Sequence, residues 1–203
     1  MSLLLFQQAA LQRNLISTNA QLTPDLVFRL VRDMPYRRAS SRRAESIICE
    51  WRGTCSGKHY LLKNLFGELG YQTKLMICAH QFTLENSSHF PKLLRDALLE
   101  GPIPDVHNFI RLETDKSWMD VDATWPLSTQ QLGMPVNTKF ELGQNMKIAC
   151  EPFEILEVPP NIDAQLFKEE LIQKYCGMQI ERRERFFEAL SAWLNFVQKE
   201  TSQ

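Results

Sequence analysis

Two short runs of alternating residues constrain this chain more than any other feature. Val106 to Leu112 and Ser117 to Ala123 are joined by Glu113-Thr114-Asp115-Lys116, a polar linker that suits a β-hairpin. Closing the hairpin at Leu112 and Ser117 opposes 111 with 118, 109 with 120 and 107 with 122. Successive side chains of a strand point to opposite faces, so the hairpin has two different sides. One carries Val106, Ile110, Leu112, Met119, Val121 and Ala123, with Asn108 as the polar exception. The other carries His107, Phe109, Arg111, Trp118, Asp120 and Asp122. In this register His107 lies directly across from Asp122, close enough for an imidazole N–H to reach a carboxylate. A slip of a single residue would turn the polar set into the core.

A cysteine upstream gives that pair a chemical context. In Trp51-Arg52-Gly53-Thr54-Cys55-Ser56-Gly57-Lys58-His59-Tyr60-Leu61-Leu62 a helical pattern begins at the cysteine. Cys55, His59, Leu62, Phe66 and Leu69 recur at helical spacing, with Leu61 and Leu65 flanking them. Thr54 reads as the N-cap and Gly70 as a left-handed stop. Cys55 thus falls in the first turn, on the inward face. The unpaired N–H groups and the positive dipole end favour its thiolate over its thiol.

Around these two features the chain reads as α+β. A short amphipathic helix is expected over 3–13, and Thr23-Pro24-Asp25 starts a second that stops before Pro35. A third carries Ile47, Ile48 and Cys49 inward. Thr73 to Ala79 reads as a buried strand, Pro91 to Leu99 as a helix, and Gly101-Pro102-Ile103-Pro104 as a breaker. Met146 to Ala149 and Phe153 to Val158 are further strand candidates. Two helices, Asp163 to Tyr175 and Glu181 to Lys199, close the chain, the second with Phe186, Leu190, Trp193, Leu194 and Val197 on one face. The expected organisation is a single domain over 1–203: N-terminal helices to 50, a core over 51–158 and a C-terminal helical annex over 159–203.

Composition removes several function classes. A net charge of -1 argues against binding driven by neutralising nucleic-acid phosphates. Five cysteines without regular spacing read as reduced thiols, which points to a cytoplasmic protein without a disulfide framework. No CxxC pair suggests zinc, so neither a metal nor another cofactor is expected. The first residues lack a basic region, and no apolar run is long enough to span a membrane.

Cysteine at a helix start, histidine on a strand and aspartate on the next strand form a chemical series. The thiolate attacks a carbonyl, the imidazole stabilises it and protonates the leaving group, and the carboxylate orients the imidazole. Gly53-Thr54-Cys55, His107-Asn108-Phe109 and Trp118-Met119-Asp120-Val121-Asp122-Ala123-Thr124 resemble the transglutaminase-like core of the papain-like cysteine enzymes. The resemblance covers residues 50 to 125. It implies a papain-like core and does not account for the flanking helices; with those added, the expected fold is α+β with a helical N-terminal part, a central antiparallel sheet and two C-terminal helices. The resemblance further implies a Cys55 nucleophile, a His107 acid/base and an Asp122 orienting group. Arg52-Gly53-Thr54-Cys55 is also similar to the approach to the cysteine in arylamine N-acetyltransferases. The implied activity is thiol acyl chemistry on a peptide, amide or small acyl substrate, by hydrolysis or transfer.

Each candidate has a plainer reading. Cys55 by itself is a buried thiol by default. Trp51, Thr54, Phe109, Trp118 and Asp120 are the substrate-binding candidates, although tryptophans more often serve as core or cleft walls. His59, four residues past Cys55, is by default a packed or hydrogen-bonded imidazole, because no third metal ligand accompanies it. Cys49, Cys78, Cys150 and Cys176 read as small buried residues, and His80 and His89 as loop residues. Arg37, Arg38, Arg42 and Arg43 read as a solvated surface before an anion site. The rival function is a non-catalytic binding protein on the same scaffold.

Overall fold

The computed structural model describes residues 2–115 and 117–200, with side chains through Phe196. Lys116 of the hairpin loop and the side chain of Val197 lie outside the described residues. In chain order come α1 (Ser2–Gln12), α2 (Pro24–Arg32), α3 (Ala44–Glu50), α4 (Cys55–Glu68), β1 (Thr73–Phe82), α5 (Lys92–Leu98), β2 (Ile103–Glu113), β3 (Trp118–Val121), β4 (Glu154–Glu157), α6 (Ala164–Cys176) and α7 (Ile180–Glu200). The four strands form one antiparallel sheet in the order β3-β2-β1-β4. The protein is α+β.

Local signals account for most of these bounds. Pro24 opens α2 behind the Thr23 cap, whose Oγ1 accepts from Leu26 N at 3.3 Å; such a cap contributes about 1 kcal/mol. Asp163 caps α6 through Gln165 and Leu166. Gly70, at φ +91°, turns the chain out of α4. The first face of the sheet, with Leu75, Ile110, Leu112, Met119 and Val121, packs on α1 to α4. Farther along that face, Ile77 and Val106 meet Leu171 of α6. On the second face Met76, Cys78 and Phe109 are covered by Ile148 and Cys150 from a loop. Helices α5 and α7 pack together through Leu94, Leu98, Phe186, Leu190 and Leu194, with Trp125.

The hairpin differs from the expected register by two positions. Arg111 pairs with Asp120 and Glu113 with Trp118, not 111 with 118. The cause is Thr114: its N–H and its Oγ1 both donate to Ser117 O, at 2.8 and 2.7 Å, and its Oγ1 accepts from Ser117 N at 3.2 Å. These bonds close a tighter loop and draw Glu113 into the ladder. A shift of two preserves the faces. It also places Asp122 past the end of β3, diagonal to His107 rather than across from it.

Four smaller expectations are corrected. Residues 146–149 form no ladder: Met146 N donates once to Asp120 O, at 2.9 Å, and the chain then turns toward Asp122. Ile103 and Pro104 belong to β2, on a stretch that β3 does not reach, where proline is tolerated. His80 sits on β1, buried, not in a loop. Cys49 faces outward on α3, whereas Ile47 and Ile48 are buried.

Candidate active site

β3 ends at Val121, and the start of α4 reaches the neighbouring segments through Ser56, which donates to Asn108 Oδ1 of β2, and His59, which meets Ala123 beyond β3. The first turn of α4 is enclosed: Cys55, Ser56, Gly57, Lys58 and His59 are all buried. Thr54 holds the N-cap position without a side-chain cap bond. Cys55, 6% exposed, has His107 near enough on one face of the sheet for the imidazole to lower its pKa, and Lys168 approaches its sulfur to 3.6 Å from the other.

His107 and Asp122 form the next link. His107 Nε2 lies 2.8 Å from Asp122 Oδ2, which also accepts from Ala149 N at 2.9 Å. Asp122 Oδ1 accepts from Thr124 N at 2.9 Å. A carboxylate with these donors stays ionised. Burial alone would raise its pKa, but the His107 charge and hydrogen bond outweigh burial, and its pKa is lowered. With Nε2 committed to Asp122, Nδ1 of His107 is left for the thiol. Burial would lower the His107 pKa, yet Asp122 and Cys55 together raise it well above the ordinary value.

His59 has a fixed and different part. Its Nε2 meets the Ala123 N–H at 2.9 Å, and a backbone N–H can only donate, so Nε2 is unprotonated. Nδ1 therefore carries the proton and donates to Cys55 O at 2.7 Å. The 3.6 Å approach of Nε2 to Asp122 Oδ1 is then not an ion pair. Burial holds the His59 pKa down at about 4. Neutral His59 ties the start of α4 to the segment carrying Asp122.

Buried cations surround the triad. Lys168 of α6, 3% exposed, donates to Ser56 Oγ and Asn108 Oδ1, each at 2.8 Å, and lies 3.6 Å from Cys55 Sγ. Burial by itself would raise the Cys55 pKa; the Lys168 charge, then the His107 hydrogen bond and charge, lower it to about 5. Lys58 donates to Arg32 O at 2.7 Å and Thr124 O at 3.0 Å, and burial lowers its pKa to about 7. Arg183 of α7 donates to Asp105 Oδ1 at 2.7 Å, and His80 Nε2 lies 3.3 Å from Asp105 Oδ2. Burial works to raise the Asp105 pKa, but Arg183 and His80 lower it.

No family model, curated protein or solved structure matches the chain. The chemistry of the site rests on its own geometry. Among the described residues no group of three His, Cys, Asp or Glu side chains is placed to hold a metal ion.

Cys55, His107 and Asp122 come together; the other sequence candidates lie elsewhere. Trp51, at φ +50°, stacks on Phe6 at 5.3 Å beneath Arg13. Phe109 is fully buried beside Met76 and Cys78. Trp118 carries the Lys74 ammonium 4.7 Å from its ring centre, and Asp120 pairs with Arg111 at 2.8 Å. Thr54 borders a groove of about 560 Å³ with Arg38, Ser40, Arg42 and Glu169. Within it Arg38 pairs with Glu184, and Arg42 lies 3.6 Å from Glu169. Half of the arginine cluster thus fastens the loop after α2 to the two C-terminal helices.

On the second face of the sheet lies a cavity of about 220 Å³, whose lining includes His80, Phe82, Phe90, Trp125, Met134 and Cys150. The buried Trp125 Nε1 and His89 Nε2 have no hydrogen-bond partner among the described residues, and both side chains border this cavity. The Trp125 ring lies 4.6 Å from that of buried Tyr36, whose hydroxyl burial and the nearby Cys55 hold above its ordinary pKa.

Proposed function

We propose that this protein is a cysteine enzyme that takes an acyl group from an amide, ester or thioester onto Cys55. The carrying observation is the bonded His107–Asp122 pair beside the enclosed Cys55, whose sulfur has Lys168 at 3.6 Å and whose pKa is lowered to about 5 despite burial. A structural thiol in an apolar site has its pKa raised, so this environment suits a nucleophile. Thiolate Sγ bonds to the carbonyl carbon, and the π electron pair moves to the oxygen. His107 gives its proton to the departing amine, alcohol or thiol as the C=O re-forms, leaving a thioester on Cys55. His107, now neutral, deprotonates the water or amine that releases the acyl group. The aromatic cavity beside His80 and Trp125 is where we seat the substrate, and the unpaired indole N–H suits a hydrogen-bond acceptor on it. The arrangement is papain-like, and the step is carried by side chains alone.

The 6% exposure of Cys55 favours a second reading, a binding protein whose thiol is never reached by a carbonyl compound. One experiment separates the two. Treated with p-nitrophenyl acetate, the wild-type chain should release a burst of p-nitrophenol and gain one acetyl group on the Cys55 peptide. Cys55→Ser should show neither. Acetyl groups spread over lysines, with no burst, would sink the enzyme.

A further inference from the structure

We propose that Lys168 is a catalytic residue that serves two partners in turn, the Cys55 thiolate before attack and the carbonyl oxyanion during it. The inference rests on the reading of Cys55 as an acylated nucleophile.

Lys168 lies on the buried stripe of α6 with Leu171 and Cys176, where an apolar residue would pack without desolvating a charge. Its three N–H groups have three neighbours: Ser56 Oγ, Asn108 Oδ1 and Cys55 Sγ. Ser56 itself donates to Asn108 Oδ1 at 2.8 Å, which leaves a hydroxyl lone pair for the ammonium. Serine and asparagine fix where Nζ stands but do not neutralise it. Among its hydrogen-bond neighbours only Cys55 can carry a negative charge.

Attack moves that charge. As Sγ bonds to carbon, the sulfur becomes neutral and the negative charge passes to the carbonyl oxygen, two bonds away. The N–H that faced sulfur then lies beside the new anion, in a site already closed to water, where a fixed donor is most effective. His107 cannot fill this role, because its proton is needed by the leaving group. Other groups bearing on the thiol are Asp105 and His107 of β2, Tyr36 of the loop, Lys58 and Tyr60 of α4, and Cys78 of β1.

The test compares two reactions of Cys55 over a range of pH in wild type and Lys168→Met. Iodoacetamide reacts at a saturated carbon and develops no oxyanion, so it reads the thiolate alone; p-nitrophenyl acetate needs both. Lys168→Met should move the midpoint of the alkylation profile upward by about two units, slowing alkylation at pH 6 about tenfold. At pH 9, with the thiolate formed in both proteins, alkylation should recover while acylation stays about 10²-fold slower or worse. Lys168→Arg, which keeps the cation, should restore the alkylation midpoint. If circular dichroism shows Lys168→Met unfolded, Lys168→Gln removes the charge but keeps hydrogen-bond donors and is read in the same way. An unshifted alkylation profile would overturn the ion pair, and acylation that recovers together with alkylation would overturn the oxyanion role. A wild-type Cys55 that is never acylated would instead refute the enzyme reading on which the inference stands.

Discussion

Asp122→Asn is the most informative perturbation of the triad. The carboxylate accepts three hydrogen bonds, from His107, Ala149 and Thr124. An asparagine has a single oxygen, so at least one of these N–H groups must face the new amide N–H₂. If the oxygen stays with Thr124, the amide opposes His107 Nε2. The imidazole then relieves the clash by moving its proton to Nδ1, where it can no longer take one from the thiol. The charge matters as well. With about 4 Å between charge centres, an imidazolium and a carboxylate attract by about 4 kcal/mol at an effective dielectric constant near 20. Losing that attraction lowers the His107 pKa by up to about three units. Acylation of Cys55 at pH 7 should fall by about 10³- to 10⁴-fold, the scale on which a wrong tautomer acts in the serine triad. Burst kinetics with p-nitrophenyl acetate measure the fall, and a thermal melt shows whether the fold survives. Asp120→Asn is the internal control. That carboxylate pairs with half-exposed Arg111, so its loss should cost no more than about 1 kcal/mol of stability and leave the burst intact. A burst within tenfold of wild type in Asp122→Asn, or an equal loss in Asp120→Asn, would refute the argument.

Two further expectations concern the scaffold. Gly133 has φ +82°, and a Cβ there would stand 2.8 Å from His89 Cβ, so Gly133→Ala should lower stability in a denaturant titration by about 1–3 kcal/mol; an unchanged midpoint would contradict that packing. Asp105→Asn leaves the buried Arg183 guanidinium with only the more exposed Glu184 carboxylate opposite it and should cost about 2–4 kcal/mol at pH 7. The Asp105 pKa is lowered by folding, so its contribution is present above the unfolded value of about 3.9 and is lost as pH falls toward the folded one. The stability gap between variant and wild type should therefore narrow below about pH 4, and a gap constant down to pH 2 would rule the ion pair out.

Much of the fold was legible because local rules and tertiary packing agree. Thr23-Pro24, the apolar spacing of α4 and Gly70 each specify a boundary by themselves. The hairpin shows where legibility stops. Alternation gives the faces of a strand but is blind to a shift of two, and the deciding term was the hydroxyl of Thr114. His107 and Asp122 meet all the same, since a carboxylate past the end of β3 reaches back along the diagonal. The expected contact came from a pairing the chain does not make.

The residues that escaped sequence reasoning share one property: each is a polar group on an otherwise apolar stripe. Asn108 interrupts the apolar face of β2, Lys168 lies one helical turn before Leu171, and Arg183 precedes Phe186, Leu190 and Leu194 on one face of α7. Periodicity marks such a position as inward, and ordinary propensity then treats the charge as an error of one residue. The physical argument runs the other way. A lysine or arginine costs several kcal/mol to bury alone, so a cation on an apolar stripe calls for acceptors or an anion opposite it. The two cations of the C-terminal helices meet two acidic groups of the core, Lys168 the Cys55 sulfur and Arg183 the Asp105 carboxylate. Helices α6 and α7 thus each bring a buried cation against the core, and the buried acidic groups of the core could have been used to find them.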